Sequence, residues 1–93
     1  MPMQFEWDSA KSEKNLQDRG FGFEFAADIF SGPVQTAMDE RRDYGEQRII
    51  AVGEVAGNVL VVVYTDRNDV RRIISARFAN RKEREEWQLF ARR

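Results

Sequence analysis

The stretch Val59-Leu60-Val61-Val62-Val63-Tyr64-Thr65-Asp66-Arg67-Asn68-Asp69-Val70-Arg71-Arg72-Ile73-Ile74-Ser75-Ala76-Arg77-Phe78 decides the fold. Its first part is β-branched and apolar on both faces, which predicts a central strand. Asp66-Arg67-Asn68-Asp69 reads as a turn, and Val70–Phe78 as the returning strand. Upstream, Arg48–Glu54 is a third strand, joined through the turn Ala56-Gly57-Asn58, and Val34–Met38 is a weaker fourth. Sequential strands joined by short turns predict an antiparallel meander.

Helices flank this meander. Asp8 or Ser9 can cap a helix that runs to Arg19, where Gly20 supplies the left-handed residue that ends it. Trp7 is expected to staple onto that helix. A second helix over Phe23–Phe30 has the i,i+4 pairs Phe25/Ile29 and Ala26/Phe30, and Gly32-Pro33 stops it. At the other end Asn80, with Glu83 at the third position, opens a last helix. Trp87 and Phe90 or Ala91 form its apolar stripe, and Arg81, Lys82, Arg84, Arg92 and Arg93 its polar side. The predicted class is α+β: two N-terminal helices, an antiparallel sheet of three to four strands and a C-terminal helix, in one domain over residues 1–93.

Composition narrows the chemistry. The chain has no cysteine and no histidine. That excludes thiolate catalysis, imidazole bases, His-ligated zinc and Ser-His triads. No metal-loop spacing and no GxxxxGK[ST] or GxGxxG motif occurs, so neither a metal nor a nucleotide cofactor is expected. No apolar run is long enough to span a bilayer, the N-terminal residues lack signal-peptide character, and a cytoplasmic setting is expected. The net charge of −1 hides a split: residues 1–66 carry 6 Lys/Arg against 12 Asp/Glu, and residues 67–93 carry 9 against 4. The basic half points to an anionic partner.

Within that half, Arg72 and Arg77 lie on the last strand, and Arg81, Lys82 and Arg84 begin the helix just beyond. Guanidinium forks beside helix N–H groups favour phosphate. The alternative is structural ion pairing with Glu46, Glu54 or Asp66. Regular alternation places Arg72 and Arg77 on opposite faces, unless a bulge near Ser75 realigns them. Without a bulge, Arg77 is the better candidate, being nearer the basic helix start. Tyr64, at the end of the central strand, could exchange a proton with a ribose hydroxyl. Lys11, near the capped helix start, could meet phosphate.

Several segments together resemble one family. Phe5-Glu6-Trp7-Asp8 followed by Ala10-Lys11 and Asn15-Leu16 is similar to the opening of BrnT-type toxins. Phe23-Glu24-Phe25-Ala26, Gly45-Glu46-Gln47-Arg48, Ile50-Ala51-Val52-Gly53, Tyr64-Thr65, Arg72-Ile73-Ile74-Ser75-Ala76-Arg77 and Ala79-Asn80-Arg81-Lys82-Glu83-Arg84 follow in order and spacing. The resemblance implies a RelE-like fold and a ribonuclease toxin of a type II toxin–antitoxin pair. It implies RNA cleavage that blocks translation, and silencing by a BrnA-type antitoxin that also carries the complex to DNA. Arg72, Arg77, Arg48 and Arg81 would carry the family's functional arginines. Where the family has histidine, this chain has Arg19 and Arg42, and Trp87 stands where a tyrosine is common. A BrnT-like subunit that only binds, within an autorepressing complex, is the alternative.

Overall fold

A computed structural model describes residues 3–92. Met1, Pro2 and Arg93, the last of which was assigned to the polar side of the final helix, lie outside the described residues. The chain runs β1 (Gln4–Trp7), α1 (Ser9–Arg19), α2 (Phe23–Ala27), a 3-10 turn (Asp28–Ser31), β2 (Gln35–Met38), β3 (Ile49–Val55), β4 (Asn58–Arg67), β5 (Val70–Phe78) and α3 (Arg81–Ala91).

The predicted ends hold at residue level. Asp8 accepts the N–H groups of Ala10 and Lys11, capping α1, and Gly20 closes it at φ 88°. Asn80 and Glu83 form a reciprocal capping box on α3. The second helix is shorter than predicted. It is α-helical only to Ala27 and tightens into the 3-10 turn, which places Ile29 and Phe30 against the sheet.

The sheet corrects the prediction more substantially. It has five strands in the order β1-β5-β4-β3-β2, and it is mixed rather than antiparallel. Gln4–Trp7, read as a lead-in to α1, is a strand paired parallel to β5, with Trp7 opposite Ile73. Trp7, expected only as a helix staple, is thus also a sheet residue, and it shares a cleft with Ser12 and Leu16 of α1. The other pairings are antiparallel, as the short turns require.

One face of the sheet carries the core. Ala51, Leu60, Val62, Tyr64, Ile73 and Ala76 pack there with Phe21, Phe23, Ala26 and Ile29. Burying one side chain of the Phe23 or Ile29 type contributes about 1.5–3 kcal/mol. Gly53 lies beneath Ile29, where an added Cβ would stand 2.8 Å from the Ile29 Cβ. Beyond β1, α1 is held to β5: Arg19 Nη1 donates to the Ala76 carbonyl at 3.3 Å and to Asn15 Oδ1 at 2.8 Å. Buried Asn15 in turn donates to the Phe21 carbonyl. Arg19, in a family histidine's place, thus has a tying role.

The opposite face stays partly open. α3 crosses only one end of it, through Arg77 bonded to Glu83 and Trp87 Nε1 donating to Glu54 Oε1 at 3.0 Å. No described helix is long and apolar enough to cross a membrane.

Candidate RNA-binding face

A bulge on β5 builds this face. Tyr64 pairs with Ile73 and Val63 with Ser75, so Ile74 has no partner on β4. One extra residue inverts the alternation beyond it. Arg72 opposite Thr65 and Arg77 opposite Val61 consequently share the side of the sheet away from the core, with Ser75 between them. Arg48 reaches the same side from the next strand's approach: its carbonyl accepts the Asp39 N–H, and Ile49 next to it pairs with Tyr64 on the core side.

A ten-residue connection between β2 and β3, residues 39–48, rims this face. Asp39 organises it. Its side chain is wholly covered, and its two oxygens accept Arg41 Nε and Nη2, both at 2.8 Å. The Arg41 fork holds the Asp39 carboxyl at about 2, below its ordinary range. The Tyr44 ring carries Arg48 at 4.0 Å and Arg42 at 5.1 Å from its centroid.

Each arginine has a carboxylate neighbour, but the engagement differs. Arg77 is held at both terminal nitrogens by Glu83, at 2.8 and 2.9 Å. Glu83 is pulled to about 2 by that fork. Arg72 gives only Nη1, to Glu6 Oε2 at 2.7 Å. Its Nε–Nη2 edge has no protein partner among the described residues. Arg48 Nε is buried without a hydrogen-bond partner, 3.8 Å from Glu46 Oε2. Glu46 is claimed first by Arg67, at 2.8 Å, which with Arg48 and Arg72 lowers its carboxyl. The pairs of Arg72 and Arg77 thus involve Glu6 and Glu83, not the expected Glu46, Glu54 or Asp66. Asp66 instead binds Arg71 with a two-point fork.

The remaining candidates divide. Lys11 lines a cleft of about 240 Å³ with Ile74 and Ser75, so α1 brings it to the margin of the arginine face. Arg81 and Lys82 are exposed in the first turn of α3, Arg81 paired with Glu85 and Arg84 donating to the Ala79 carbonyl. The helix start is partly filled by its own capping box. Glu83 and Asn80 saturate each other's N–H groups, and the Glu83 carboxylate occupies that end. Tyr64 is not brought to the arginines. It points to the core, edge-on to Phe30 at 5.2 Å and beneath Arg71, and burial raises its phenol. Sequence reasoning missed Glu6, Asp39 and Tyr44. The Asp39-x-Arg41 spacing, which lets a carboxylate fold back on a fork two residues on, was a readable signal for Asp39.

Among the described residues no three His, Asp or Glu side chains converge to hold a metal ion. The geometry is that of an open sheet face with cationic forks at staggered depths, a surface suited to a phosphodiester backbone. Residues 7–83 match the family model described as ribonuclease toxin, BrnT, of type II toxin-antitoxin system. The chain belongs to the BrnT toxin family. No curated protein matches it.

Proposed function

We propose that this protein cuts RNA without a metal ion and so inhibits translation, and that a BrnA-type antitoxin neutralises it. RNA supplies its own nucleophile, the 2′-hydroxyl, and attack on the adjacent phosphorus gives a 2′,3′-cyclic phosphate and a free 5′-hydroxyl. The protein then has to hold the strand and stabilise the extra charge on the phosphorane.

The free Nε–Nη2 edge of Arg72 carries this reading, because it can take two phosphate oxygens while Nη1 stays on Glu6. Arg48, on the same side of the sheet with its guanidinium over the Tyr44 ring, is the second phosphate ligand. Arg77 joins only when Glu83 gives way. Lys11 is the proton carrier nearest the face. Arg81, Lys82 and Arg84 extend the electrostatic track along the strand. The helices α1 and α2 on one face, with α3 over only one end of the other, support a RelE-like arrangement.

The binding-only alternative draws support from one observation: Arg77, the arginine nearest α3, has both terminal nitrogens closed by Glu83. In that reading the arginine face is a rigid salt-bridged surface, and DNA is reached only through the antitoxin.

Purified protein incubated with single-stranded RNA and excess chelator tests the proposal. Fragments ending in 2′,3′-cyclic phosphate are expected. Cleavage that disappears with chelator and returns with magnesium would overturn the mechanism. No cleavage under either condition, with antitoxin binding intact, would establish the alternative.

A further inference from the structure

At the end of the sheet farthest from β2, an apolar groove runs between β1 and the α2 segment. It consists of two adjoining clefts, of about 440 and 500 Å³, that share Trp7, Glu24 and Asp28. Phe5, Trp7 and Phe30 line the first, and Leu16 and Phe25 the second. Met3 and Leu16 stand 38% and 47% exposed at its ends, large apolar side chains with nothing over them.

Two further observations define what fits. β1 is the terminal strand of the sheet, and among the described residues it pairs only with β5 and the Asp69 carbonyl beside it, which leaves its outer backbone edge to another strand. The rim is acidic. Glu24 and Asp28 form no salt bridge among the described residues, whereas Glu6, Asp39, Glu46, Asp66 and Glu83 each hold an arginine. Among the described residues Arg71 is the one cation lining the groove, and it is already bound to Asp66.

We propose that this groove seats a cationic amphipathic strand of the antitoxin, added to the edge of β1. Every second side chain of that strand faces the groove; the apolar ones among these enter between β1 and α2, and a Lys or Arg among them meets Glu24 and Asp28. A second copy of this chain does not fit. A twofold contact at this edge would set each acidic rim near its own image, with no unpaired cation among the described lining residues to offset the repulsion. The surface lies on the core-helix side of the sheet, away from Arg72 and Arg48, so the anchor for the inhibitor and the RNA face are separate. The inference rests on the reading of the protein as the toxin of a pair.

The test uses the full-length protein and the purified antitoxin encoded in the same operon. Glu24→Lys/Asp28→Lys and Leu16→Glu change exposed side chains, and melting curves verify that the variants fold. Both are expected to cleave RNA as the parent does. Both should bind antitoxin about tenfold or more weakly, and escape neutralisation at concentrations that silence the parent. Hydrogen exchange on the parent complex should show new protection at residues 4–7. Unchanged antitoxin affinity in both folded variants would overturn the inference, as would protection confined to residues 48, 72 and 77. So would a parent protein that binds no operon-encoded partner, or one that self-associates through this edge. The toxin reading is judged separately, by parent cleavage and by its loss in Arg72→Lys, which should still bind antitoxin.

Discussion

Arg72 and Arg77 face the same side of the sheet although an even spacing along a regular strand would be needed to align them; unpaired Ile74 makes up the difference. The two arginines are not equivalent. Among the described residues Arg72 keeps an unpartnered two-nitrogen edge, while Arg77 is clamped by Glu83.

Replacing each by lysine keeps the charge and removes the planar fork. Arg72→Lys should remain folded and lose roughly a hundred- to a thousandfold in RNA cleavage, the usual cost of one transition-state contact at about 2.7–4 kcal/mol. Arg77→Lys should lose less activity and more stability, because its fork holds the start of α3. Melting and cleavage measured on the same preparations check this. A folded Arg72→Lys protein with full activity removes Arg72 from the site.

Tyr64→Phe separates the sheet's two faces. Tyr64 packs on Phe30 in the core and is absent from the arginine side. The variant is expected to cleave RNA at close to the parent rate. Lys11→Met, at the margin of the arginine face, should slow cleavage. A dead Tyr64→Phe with a parent-like melt would show that the phenol reaches substrate after all.

Glu83 and Asp39 set the acid limit of stability. Both carboxyls are lowered to about 2 in the folded protein, Glu83 by the Arg77 fork and Asp39 by Arg41. A depressed carboxyl stabilises the fold above its unfolded value and stops doing so as pH falls through its folded value. Melting temperature should therefore drop between about pH 4.5 and pH 2, where the unfolded chain takes up protons that the folded chain refuses. Glu83→Gln should melt lower near neutrality, by about 1 kcal/mol for the weakened cap alone, and change less across that window. A parent melt that is flat from pH 5 to pH 2 would contradict both assignments.

Gly53→Ala probes the core without touching the arginines. The new Cβ would stand 2.8 Å from Ile29 Cβ and 3.0 Å from Val34 Cγ1. Overpacking of this kind costs about 1–3 kcal/mol. The variant should melt lower than the parent, with cleavage per folded molecule unchanged. An unaltered melting temperature would mean that the 3-10 turn shifts freely on the sheet.

Much of this architecture is written locally. The caps Asp8, Gly20 and Asn80, the apolar run of β4 and the turns on either side of it need only near neighbours to act, and the sequence shows them. β1 does not belong to that class. Gln4-Phe5-Glu6-Trp7 is short, and its partner Val70–Ile73 lies at the other end of the chain, so no local pattern reports the pairing. Glu6 as the partner of Arg72 was hidden for the same reason. The arginines were legible as a set from their density, and their common face was legible only as a possibility, because a bulge depends on the facing strand. Tyr64 shows the opposite limit: a strand-end phenol has the same sequence signature whether it meets substrate or core.

The parallel pairing of β1 with β5 also fixes when the protein can first act. Glu6 and Arg72 are separated by 66 residues, and the first strand finds its place only after the fifth has been made. Contacts so distant along the chain slow folding, since a long loop must close before any of them forms. A growing polypeptide that has reached β4 already possesses its central strand but neither Arg72 nor Arg77. On the proposed reading of Arg72, each unfinished copy lacks its principal phosphate ligand until the first and fifth strands have met.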